Sequence, residues 1–192
     1  MSSTPLRRRT LRRVAVPLAA ATVALGVAAV TATPAAASNS YNGNAYISGA
    51  DTPADDLNDE GAVNMSTNTV SSVTCFWQNI LYMDGYLAKS GIDGSFGPNT
   101  KAATAQWQND RQLTGDGSAG KATFTEAGIA FGSNWHWTEN TSGGRYWVGY
   151  RPSDGPVESA LEVTRPFDGG AWSFINKRTG KWVTAAYNTN GC

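Results

Sequence analysis

In this chain of 192 residues, one octapeptide returns in altered form and restricts the fold more than any other feature. Asp93-Gly94-Ser95-Phe96-Gly97-Pro98-Asn99-Thr100 reappears 23 residues later as Asp116-Gly117-Ser118-Ala119-Gly120-Lys121-Ala122-Thr123. Asp-Gly enters a tight turn because glycine accepts positive φ, and the second glycine permits another sharp change of direction. Each copy runs into a stretch able to form a helix. Pro98 suits the first helical position, where its missing N–H has no partner to lose. Two such hooks predict short helices joined by rigid corners.

The N-terminus reads as a targeting segment rather than as fold. Arg7, Arg8, Arg9, Arg12 and Arg13 precede an apolar run from Val14 to Val30, and Thr33-Pro34-Ala35-Ala36-Ala37 supplies the small residues of a cleavage site. Residues 1–37 are therefore expected to be a signal peptide cleaved after Ala37, with an uncleaved membrane anchor as the alternative. Removing five arginines and no acids leaves ten basic and fifteen acidic side chains, a formal charge of −5 over 155 residues. That acidity argues against nonspecific nucleic-acid binding. An exported, extracellular or wall-associated location follows, with no membrane contact after cleavage. The two cysteines, Cys75 and Cys192, allow one intramolecular disulfide in an oxidising compartment; an intermolecular pair or two free thiols are the alternatives.

Three regions follow. Residues 38–68 carry few large apolar groups and concentrate Asp51, Asp55, Asp56, Asp59 and Glu60, which reads as a disordered acidic leader without the spacing of a calcium loop. Residues 69–130 read as three helices. Val73, Phe76, Trp77, Ile80 and Leu81 form one apolar stripe ending at Gly85. A second helix is expected from Pro98 to about Asp110 with Ala103 and Trp107 on one face, and a third from about Lys121 with Phe124 and Ala127 or Ile129 inward. Residues 133–192 alternate aromatic and β-branched runs with turn formers, predicting four or five antiparallel strands and a hairpin between Phe174 and Trp182. The fold class is α+β, a small three-helix bundle followed by an antiparallel β-rich region. The Tyr146, Val148, Tyr150 alternation favours packing of that sheet on the helices.

The central region resembles the peptidoglycan-binding-like domains attached to bacterial cell-wall hydrolases. Gln78 and Leu81, the run Gly91-Ile92-Asp93-Gly94-Ser95-Phe96-Gly97-Pro98-Asn99-Thr100, then Ala103, Trp107 and Gln108, and finally Leu113, Asp116, Gly117, Gly120 and Thr123 carry the likeness over about 60 residues. Thr104 stands where that family usually has a branched apolar residue, Ser118-Ala119 replaces a bulkier pair, and Lys121 replaces a proline. The resemblance implies an extracellular module that recognises the glycan or stem peptide of the bacterial wall. With the targeting segment and the sparse catalytic patterns, the leading reading is a secreted, non-catalytic peptidoglycan-binding protein, expected to be a monomer without a cofactor. Aromatic faces beside amides suit such ligands, which gives Gln78, Tyr82, Tyr86, Asn99 and Gln108 as candidate contacts. Each amide also has a structural reading, as a partner of backbone at the turns, while Asp93 and Asp116 are expected to cap local N–H groups.

Catalytic patterns are sparse. His136 is the single histidine, which excludes a zinc site needing two or three, and its neighbours Trp135 and Trp137 read as a strand or aromatic cluster. There is no Gly-x-Ser-x-Gly elbow, and no metal or catalytic residue is assigned. One alternative is a small wall hydrolase using carboxylates among Glu139, Asp154, Glu158, Glu162 and Asp168. Another is a secreted structural or inhibitory interaction protein.

Overall fold

Each hook closes on a glutamine from the helix before it, and this unit organises the helical half of the molecule. The computed structural model describes residues 43–133, 138–140, 145–150 and 160–192. The expected signal peptide, His136, Asp154 and Glu158 lie outside the described residues. Helix α2 runs from Ser72 to Met83, α3 from Pro98 to Asp110 and α4 from Lys121 to Ser133, preceded by a six-residue α1, Pro53–Asn58. Ser71 caps α2 by accepting the Thr74 N–H at 3.0 Å, while Pro98 opens α3 behind Gly97. Gly85, at φ +80°, turns the chain after α2 where a side chain would strain the backbone. Inward residues of α4 are Phe124, Ala127 and Phe131; Ile129 faces outward and is 47% exposed.

Trp77 and Trp107, both fully buried, meet edge to face at 5.0 Å in the centre of the helices. A buried indole needs an acceptor for its N–H. Trp77 donates to Thr104 Oγ1 at 2.9 Å, which explains a hydroxyl where a branched apolar side chain would leave the indole unpaired. Trp107 donates to Asp84 Oδ2 at 2.7 Å, and the same oxygen accepts from Arg111 (2.8 Å) and Tyr150 (2.6 Å).

The C-terminal region forms a five-stranded antiparallel meander in chain order: β1 Thr138–Asn140, β2 Arg145–Tyr150, β3 Leu161–Pro166, β4 Ser173–Ile175 and β5 Trp182–Thr184. Gly180, at φ +69°, closes the β4–β5 hairpin, where the Asn176 and Gly180 N–H groups donate to Lys181 O and Asn176 O. The inner face carries Tyr150, Leu161, Val163, Phe174 and Val183, all buried. Phe76 of α2 joins this face to the helices, lying 5.4 Å from Phe174 and 6.0 Å from Phe131. Helices and sheet therefore share one hydrophobic core. Cys75 and Cys192 form a disulfide that fastens the C-terminal segment to α2.

The described part of the expected acidic leader, residues 43–68, is folded. Ile47 donates its N–H to Ala185 O and accepts from the Trp172 N–H, adding an edge beside β4 and β5. Leu57 and Val63 are fully buried. A Cβ on Gly128 would lie 2.5 Å from the Pro53 carbonyl, so α1 sits directly against α4. Two of the five acids that suggested a solvated segment are compensated from afar, while Asp51 and Asp55 are exposed. Buried Asp56 pairs with Arg165 at 3.3 Å, and Glu60 accepts the Tyr187 hydroxyl proton at 2.5 Å.

Burial raises the Asp56 pKa from 3.8 to about 6, against the opposing pull of Arg165. A raised carboxyl pKa means that the folded state holds this proton more tightly than the unfolded chain. The contribution of Asp56 to stability therefore declines as pH rises from about 4 to 6. Unfolding midpoints of the parent and Asp56→Asn, compared at pH 4, 5, 6 and 7, should show the variant improving relative to the parent as pH rises. A constant difference would refute this.

Candidate functional site

Gln78 of α2 spends its whole amide on the first hook. Its Nε2 lies 3.0 Å from Asp93 Oδ1, Ser95 O and Thr100 Oγ1, while its Oε1 accepts the Asp93 and Gly94 N–H groups at 3.0 and 2.7 Å. Gln108 of α3 repeats the pattern on the second hook. Its Nε2 is 2.9 Å from Asp116 Oδ1, Ser118 O and Thr123 Oγ1, and its Oε1 accepts the Gly117 N–H at 2.9 Å. Asp93 and Asp116 each accept the N–H two residues on at 2.8 Å, as expected of local caps. Gly94 and Gly117 occupy the left-handed region at φ +73° and +72°. Each glutamine thus stitches one helix to the corner and first turn of the next.

The two hooks differ in what covers them. The first lies under the C-terminal half: Asn190 donates to Asp93 O at 3.2 Å, and Arg178 donates to Ile92 O at 3.0 Å. The second is flanked by two depressions. One, of about 410 Å³, is lined by Gln112, Leu113, Thr114, Asp116, Ser118 and Lys121 among others. The other, of about 210 Å³, is lined by Asn64, Met65, Ser66 and Lys101 together with Asp116 and Ser118. The shared residues make them two sides of one groove across the hook. Both walls combine an ammonium group, the exposed Asp116 carboxylate, amides and hydroxyls with one or two small apolar surfaces, and neither contains an aromatic ring.

Gln112 on this rim has φ +58°, a conformation that favours glycine at a helix C-terminus. Nearby, Val63 pairs with Ala119 through N–H···O bonds of 3.0 and 3.1 Å in the two directions. Both residues are fully buried, so the N-terminal segment occupies the core beside the small residue at 119.

Of the candidate contacts from sequence, only Gln108 borders the groove, and its amide is already engaged. Gln78 is buried with donors and acceptor occupied. Tyr82 and Tyr86 are half-buried beside the core, with the Tyr86 hydroxyl donating to Asp110 at 2.6 Å. Asn99 is exposed in the first turn of α3. Three other aromatic side chains of this region, Trp77, Phe96 and Trp107, lie in the core. Sequence reading missed Gln112, Thr114, Ser118, Lys121 and Lys101 as a lining set. Ser118 and Lys121 were visible as departures from the family pattern, and both stand on the groove wall.

Among the described residues, no group of three or more His, Cys, Asp or Glu side chains is placed to hold a metal ion. No helix among them is long and apolar enough to cross a membrane. The family model of a peptidoglycan binding domain matches residues 77–126, which span α2 from Trp77, both hooks, α3 and the first half of α4. No curated protein and no solved structure matches the chain. The family match supports peptidoglycan binding in general.

Proposed function

We propose that the helical unit binds the stem peptide of peptidoglycan in the groove across the second hook, as an exported, non-catalytic, monomeric wall-associated protein. The observation that carries this reading is the groove lining, which the matched segment supplies apart from Asn64, Met65 and Ser66: Lys101, Asp116 and Lys121 supply both charges, Gln112, Thr114 and Ser118 supply hydrogen bonds, and Leu113 and Met65 supply small apolar contacts. A short peptide bearing free carboxylates and an amine meets each of these. A sugar ring would want an aromatic face, and the groove has none. The disulfide and the peptidoglycan-binding family support an extracellular or wall location.

Two substitutions test the groove without weakening the fold. Lys121 is the first residue of α4, so Lys121→Glu places an acid where the helix dipole favours it. Gln112→Gly relieves the left-handed backbone, which should leave stability unchanged or raise it by up to about 1 kcal/mol. Both should reduce retention on insoluble peptidoglycan, and affinity for soluble muropeptides measured by calorimetry, by about tenfold, equivalent to about 1.4 kcal/mol. Undiminished binding by both variants would refute the groove. Release of sugar or peptide during the same incubation would refute the non-catalytic reading.

A further inference from the structure

The outer face of the sheet differs from the groove in having aromatic surface. Register places Trp147, Thr164, Ser173 and Thr184 in one row across β2, β3, β4 and β5, with Glu162, Ile175 and Trp182 two positions along on the same face. The alternate row, Val163, Phe174 and Val183, is the buried one. Trp147 and Trp182 come from strands separated by β3 and β4, yet their ring centroids are 5.3 Å apart with planes at 80°. The two indoles therefore reach towards each other over the outer face. Trp182 is 44% exposed, whereas Trp172, on the neighbouring loop, is 1% exposed.

The surroundings narrow the occupant. Thr184 and Glu162 are exposed, Ser173 and Ile175 are partly exposed, and Thr164 is buried under Arg145, whose Nε donates to its Oγ1 at 3.0 Å. The Lys177 ammonium lies within the attractive field of Glu162. Such a face is too polar, and too short of apolar area beyond two indoles and one isoleucine, for a stable second copy of the chain. Glu162 offsets the charge of Arg145 and Lys177, so the face has no strong excess of positive charge to draw a polyanion. A pyranose ring has an apolar C–H face for an indole and a polar rim for hydroxyl, carboxylate and ammonium groups.

We propose that Trp147 and Trp182 form a stacking platform for the N-acetylated hexosamine strand of the cell wall, a site separate from the groove across the second hook. The identity of the sugar rests on the wall-binding reading; the platform itself rests on the sheet. The test is calorimetric titration of the full folded chain with a β-1,4-linked N-acetylglucosamine tetramer and with wall glycan stripped of peptide. Binding of both is expected, weakened about tenfold in Trp182→Ala. Trp182→Phe should largely preserve it, and Gln112→Gly should leave it unaltered. Near-ultraviolet circular dichroism and the unfolding midpoint report whether each variant keeps the parent fold.

Failure of the parent to bind either glycan, or equal binding by folded Trp182→Ala, would overturn the platform. So would a concentration-dependent dimer abolished by Trp182→Ala, which would make the face a contact between copies. Binding of the tetramer but not of stripped wall glycan would overturn the assignment to the wall. If the platform behaves as expected while Gln112→Gly and Lys121→Glu leave muropeptide binding intact, the groove reading alone fails.

Discussion

Gln78→Ala is expected to lower the free energy of unfolding by about 3–5 kcal/mol, because one amide serves several otherwise unpaired groups. The Gly94 N–H and the Thr100 hydroxyl are buried beside it, and the Asp93 N–H and Ser95 carbonyl also lose a partner. Each buried polar group left without a bond costs about 1–3 kcal/mol, and the partly exposed ones less. Equilibrium urea unfolding followed by tryptophan fluorescence measures the effect. A loss below about 1 kcal/mol would mean that water replaces the amide, and the first hook would then not depend on it. Gln78→Glu should be intermediate, since it keeps an acceptor for the two N–H groups while setting a carboxylate against Asp93 Oδ1.

Removing the Cys75–Cys192 disulfide by paired serine substitutions is expected to cost about 3–5 kcal/mol. The bond closes a loop between residues 117 positions apart, and chain-entropy arguments give about 4.7 kcal/mol for a 100-residue loop. Native contacts offset little of the loss, because the neighbouring bonds of Asn176 converge on the same cysteines. Asn176 Nδ2 donates to Cys192 O at 3.1 Å and lies 3.5 Å from Cys75 Sγ. The thermal midpoint of the serine pair, compared with the parent under oxidising and reducing conditions, gives the measurement. If reduction lowers the parent midpoint by less than about 2 °C, the cross-link is not a principal source of stability.

The helices were legible because their boundaries are set by local chemistry. Pro98 and the glycines of the hooks act within a few residues, and α3 begins and ends at the expected positions, Pro98 and Asp110. The strands were legible because aromatic and β-branched runs alternate with turn residues. Residues 43–68 were not, since Asp56 and Glu60 look solvated until Arg165 and Tyr187, more than 100 residues away, are brought beside them. Gln78 and Gln108 were recognised, but what they hold could not be read without the hook geometry. A further repeat was available: Trp77-Gln78-Asn79 returns as Trp107-Gln108-Asn109. The separation of glutamine from hook is 15 residues in one unit and 8 in the other, because α2 runs further past its glutamine than α3 does and the loop after it contains the extra turn at Lys89–Gly91. That insertion hides the correspondence from a search at one fixed period.

The departures at Ser118, Ala119 and Lys121 lose apolar bulk when counted residue by residue. In three dimensions Ala119 admits Val63, while Ser118 and Lys121 face the groove. These substitutions relocate packing to a distant segment and leave the second corner open.

The pairing of Val63 with Ala119, and of Thr69 and Ser71 with the first hook, has a consequence for portability. A segment excised at residues 77 and 126 would leave behind the strand-like tether that braces both corners, along with Cys75 and Phe76. Grafted onto another protein, it would have to find substitutes for all of them. The recognisable stretch is thus the middle of an interlaced object, and its sequence borders are not the borders along which the molecule could be taken apart.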